Sequence, residues 1–62
     1  MSFYVTETSP ALHTLCARLT KQPVRELLRI CERFGPEEED VRRYDVYRVR
    51  TEQGDYILKK GG

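Results

Sequence analysis

The sequence has little with which to build a metal or nucleophile site. Its 62 residues include one histidine, His13, two cysteines, Cys16 and Cys31, and no tryptophan. A structural zinc site commonly takes four cysteine or histidine ligands in close spacings; three scattered side chains do not supply it. His13 precedes Cys16 by three residues in a helical pattern, which puts both on one face. The reading is a half-buried histidine beside a core thiol, and no catalytic residue is assigned. Glu37, Glu38, Glu39 and Asp40 are adjacent, but consecutive carboxylates do not converge on one ion without a shaped loop, so no metal ligand is assigned.

Other absences narrow the class further. No apolar run approaches the ~20 residues of a membrane span, and Met1–Val5 has no basic start of the kind a signal peptide needs. Cytoplasm is the expected compartment, with both cysteines reduced. The net charge is only +1, too small for a field that gathers nucleic acid or a membrane surface, and neither is expected as a partner. The charge is uneven: residues 1–40 carry five basic and seven acidic side chains (−2), residues 41–62 six and three (+3). A chain of this length is a single domain that buries only about 60% of its unfolded surface.

What is present reads in segments. Residues 1–8 form an arm or an edge strand, since Phe3, Tyr4, Val5 and Thr6 are β-formers. Residues 9–35 read as a helical pair. Ser9 is a good N-cap and Pro10 fits the first helical position; Leu12, Leu15, Cys16 and Leu19 follow at helical spacing. Pro23 then opens a second helix, with Val24, Leu27, Leu28, Cys31 and Phe34 as its apolar face and Arg25, Arg29 and Arg33 as a solvated stripe. Gly35-Pro36 closes it. Residues 41–60 read as a β-hairpin. The alternation slips between Val41 and Tyr44, which predicts a bulge or a tight turn near Arg43–Asp45; Thr51–Asp55 is the turn, with Gly54 at positive φ. Residues 61–62 are a tail. The fold class expected is α+β, two helices packed on one face of a small antiparallel sheet in the order β-α-α-β-β.

The stretch Val41 to Lys60, VRRYDVYRVRTEQGDYILKK, resembles the first hairpin of the aminoglycoside-phosphotransferase-like and spore-coat-type kinases, and the expected helix ending in Arg33-Phe34-Gly35 resembles the helix before that hairpin. The resemblance covers roughly residues 24–60 and implies a protein-kinase-like small lobe. There, a lysine on a small-lobe strand pairs with the α- and β-phosphates of ATP. Lys59 stands at that position in Tyr56-Ile57-Leu58-Lys59. By the same resemblance Ile57 touches the adenine, Val46 or Val49 covers the base, and the cofactor is ATP with Mg. The chain departs from the family's pattern in having no glycine in residues 36–53 and no catalytic loop or metal ligands. The function implied is that of an N-terminal nucleotide-binding subdomain, a lobe fragment that is not catalytic alone.

Rival readings come from other classes. A winged-helix nucleic-acid binder would use Arg42, Arg43, Arg48, Arg50, Lys59 and Lys60 as phosphate contacts. A ubiquitin-like carrier would use Gly61-Gly62 as its conjugating tail. A plain interaction domain would leave Val24, Leu27 and Phe34 exposed on the helical face, for a second copy of the chain or for a missing large lobe.

Overall fold

The computed structural model describes residues 1–60. Strand β1 (Ser2–Thr6) leads into helix α1 (Pro10–Thr20), and strands β2 (Glu26–Phe34), β3 (Asp40–Thr51) and β4 (Gly54–Lys59) follow. All four strands lie in one sheet in chain order, each antiparallel to its neighbour.

The helical pair is therefore corrected to one helix on a four-stranded sheet. The segment expected to be the second helix is β2, a central strand paired with β1 on one side and β3 on the other. On this strand apolar residues occupy both faces, so they do not alternate with polar ones. Leu27 and Cys31 point to the side of α1, while Leu28 and Ile30 point away from it. Read along the chain, Val24, Leu27, Leu28, Cys31 and Phe34 mimic a helical period. The apolar helical face goes with the helix: Leu27 is 0% exposed, Val24 packs on the core, and Phe34 lies on the opposite side of the sheet beneath the Arg42 guanidinium, 5.3 Å from its ring centre.

The first helix forms as its sequence directs. Ser9 is the N-cap, and its hydroxyl accepts from the Leu12 amide at 3.4 Å. Lys21, in the left-handed region at φ 57°, ends the helix. Cys16 is the buried residue of α1 and meets Leu27, Tyr47 and Val49 to form the core, with Leu12, Val24 and Leu58 around it. Each large apolar side chain fully buried this way contributes about 1.5–3 kcal/mol.

Of the bulge or tight turn expected near Arg43–Asp45, the bulge is present, in the pairing of β3 with β2. Between the pairs Arg29–Tyr47 and Cys31–Arg43, β2 spends Ile30 alone while β3 spends Tyr44, Asp45 and Val46. Gly54 takes φ 136° after the β3–β4 turn. Gly35, expected to cap a helix, instead turns β2 into β3 at φ 99°. No helix of the described residues is long and apolar enough to cross a membrane.

Candidate functional site: the open sheet face

The helix covers one face of the sheet and leaves the other open. Directly paired residues in antiparallel strands project to the same side, so the register defines the open face row by row. Leu28 pairs with Arg48 and Arg48 with Ile57; Val46 pairs with Lys59; Tyr4 pairs with Ile30. Leu28, Ile30, Val46 and Ile57 are the apolar side chains of this strip of the face, with Arg48 between Leu28 and Ile57. Ile57 is 64% exposed, a large apolar side chain left to solvent.

Cations and aromatics frame the strip. The Arg48 guanidinium lies over the Tyr4 ring at 5.9 Å and donates to Asp55 Oδ2 from Nη2 at 2.6 Å and from Nε at 3.0 Å. That bond and the Asp55 charge strengthen the hold of Arg48 on its proton. Arg50 Nη1 reaches Glu26 Oε1 at 3.2 Å, and its Nε lies 3.6 Å from Asp55 Oδ1. The charges of Arg48 and Arg50 are thus largely neutralised within the face. Lys59 enters no ion pair among the described residues, and it stands beside the apolar strip.

Three of the residues singled out from the sequence, Lys59, Ile57 and Val46, share this face. Val49 does not. It pairs with Leu27 and Tyr56 and is 1% exposed beneath α1. Val46 and Val49 are an odd number of residues apart on one regular strand, so their side chains must diverge.

A second polar cluster, on the helix side, escaped sequence reasoning. Arg29, read as part of a solvated stripe, is half-buried on β2. Its Nε donates to Glu7 Oε2 at 3.0 Å and its Nη2 to the Tyr47 hydroxyl at 2.7 Å. Asp45 Oδ1 lies 3.5 Å from Nη1. His13 Nε2 bonds the Glu7 carbonyl at 2.8 Å. Every group here is satisfied, and the cluster ties the chain before α1 to β2 and β3. Its only signal in the sequence is an arginine inside an otherwise apolar run.

The other rivals lose their framework. The stretch that would supply a winged helix with its second helix contains β2 (Glu26–Phe34) instead, and two of the six proposed phosphate contacts, Arg48 and Arg50, are ion-paired. One strand, not a hairpin, precedes α1, which departs from the ubiquitin-like order; Gly61 and Gly62 lie outside the described residues. Among the described residues no three His, Cys, Asp or Glu side chains are grouped to hold a metal. No family model matches this chain, and no similar curated protein or solved structure was found.

Proposed function

We propose that the open face binds a nucleotide, with Lys59 contacting its phosphates, and that the chain serves as the N-terminal nucleotide-binding subdomain of a phosphotransferase-like kinase without transferring phosphate alone. One observation carries this reading. Lys59 projects from β4 in register with Val46 and two residues from Ile57, on the uncovered face, free of any carboxylate among the described residues. A planar base gains by covering apolar surface. A phosphate beside it gains a charge-assisted bond from an unpaired ammonium. ATP with Mg fits this arrangement on the nucleotide's side; the metal would arrive on the phosphates, since the described residues group no acidic ligands for it.

The test is a methyl and amide NMR titration with Mg·ATP. The Val46 and Ile57 methyl signals should move, and those of Val49, sealed under α1, should not. Lys59→Ala should weaken binding about tenfold or more, the worth of one hydrogen bond to a charged group. Unchanged affinity in that variant, or shifts confined to the helix side, would refute the reading.

A further inference from the structure

The outer edge of β4 is complementary to itself. The Lys60 amide donates to the Asp45 carbonyl at 2.8 Å, in register with the pairs Val46–Lys59 through Thr51–Gly54. Hydrogen-bonding direction alternates along an antiparallel strand. Gly54, Tyr56, Leu58 and Lys60 therefore turn their amides and carbonyls toward β3. Asp55, Ile57 and Lys59 turn theirs outward, where the sheet ends.

We infer that a second copy of this chain pairs with that edge, antiparallel about Ile57, to make one continuous sheet. In this register Ile57 meets the partner's Ile57, and Asp55 meets the partner's Lys59, all as hydrogen-bonded pairs using the outward groups. The pairing covers the exposed Ile57 and joins each Asp55 carboxylate to a Lys59 ammonium. Asp55 already accepts from Arg48, but a carboxylate has lone pairs for a further donor. On the helix side, Tyr56 meets the partner's Leu58 as a close, non-hydrogen-bonded pair. Those side chains border a cleft of about 260 Å³ between α1 and β4, lined in part by Leu19 and Thr20. Leu19 is 58% exposed, and the partner strand closes the cleft beside it.

The β1 edge offers no such match. Symmetric pairing there about Tyr4 would set Ser2 against Thr6 and bring no opposite charges together. An unprotected edge ordinarily invites indiscriminate pairing; a charge-matched register limits the partner to a copy of itself. The shared area is modest, so the dimer forms with rising concentration and is not obligate. This inference does not depend on nucleotide binding, and a phosphate on Lys59 would compete with the partner's carboxylate for the same ammonium.

The experiment is sedimentation equilibrium of the full chain. Wild type should move from monomer to dimer with concentration, and Ile57→Pro should stay monomeric with an unchanged circular dichroism spectrum, because the amide it removes faces outward. Should that variant misfold, charge swapping still decides. Lys59→Asp alone sets Asp against Asp, and Asp55→Lys alone sets Lys against Lys. Each should weaken the dimer about tenfold. An equimolar mixture restores opposite charges at both ends and should dimerise at least as well as wild type. A wild type that is monomeric at every concentration, a folded Ile57→Pro that still dimerises, or a mixture no better than its components would overturn the inference.

Discussion

Arg29 Nε stands 3.0 Å from Glu7 Oε2, and the two side chains are each only 19% exposed. The hydrogen bond from Arg29 holds the Glu7 carboxyl below its ordinary 4.5, against desolvation, which acts in the opposite direction. A carboxyl lowered in the folded state contributes stability above its unfolded pKa and loses it as pH falls through the lowered value. The pair should therefore stabilise the fold fully above about pH 4.5 and progressively less below it. Glu7→Gln should cost stability near neutral pH, and its deficit against wild type should shrink in acid. Urea denaturation at several pH values measures this. A deficit independent of pH would mean that shape, not charge, holds Glu7 in place.

Gly35 turns β2 into β3 at φ 99°, and an added Cβ would lie 2.9 Å from Asp40 Oδ2. That oxygen ends a rotatable side chain and can swing aside, so the backbone conformation is the larger obstacle. Gly54, at φ 136°, has nothing within 4 Å of such a Cβ. Gly35→Ala and Gly54→Ala should then each cost about 1–3 kcal/mol, chiefly through backbone strain. In a domain of this size that lowers the melting temperature by roughly 4–8 °C per kcal/mol. Thermal unfolding of the two variants decides the point: a much larger loss for Gly35→Ala would show that Asp40 is fixed.

These features differ in how plainly they stand in the sequence. The start of α1 is local chemistry: a serine that can cap and a proline that fits the first turn. The β3–β4 hairpin is local as well, and the slipped alternation around Tyr44 marks the place where β3 bulges against β2. β2 is not local. It is a strand because β1 and β3 flank it, and Arg29 tolerates partial burial only because Glu7, Asp45 and Tyr47 arrive from elsewhere in the chain. A helical period over Val24–Phe34 outweighed this, since a strand with apolar residues on both faces has no clean period of its own. Alternation alone places Ile57 with Lys59. It also separates Val46 from Val49, a distinction available from spacing but decided by the register.

Cys16 and Cys31 are both buried, each 1% exposed, yet different elements cover them. Cys16 lies in the core between α1 and the sheet, and burial pushes its thiol above the ordinary value. Cys31 lies outside that cluster, opposite Phe3 of β1 on one side and Arg43 of β3 on the other. Opening β1, an edge strand, exposes Cys31 without disturbing the helix-covered core, whereas Cys16 needs the core itself to open. Thiol labelling in native buffer, followed by mass spectrometry, should modify Cys31 first. Cys16 should be protected by the global stability, which at about 3–5 kcal/mol for a core this small slows labelling a hundred- to several-thousand-fold. Leu27→Ala should speed Cys16 labelling more than Cys31 labelling. Equal rates for the two thiols in wild type would mean that β1 and the core open together, as one cooperative unit.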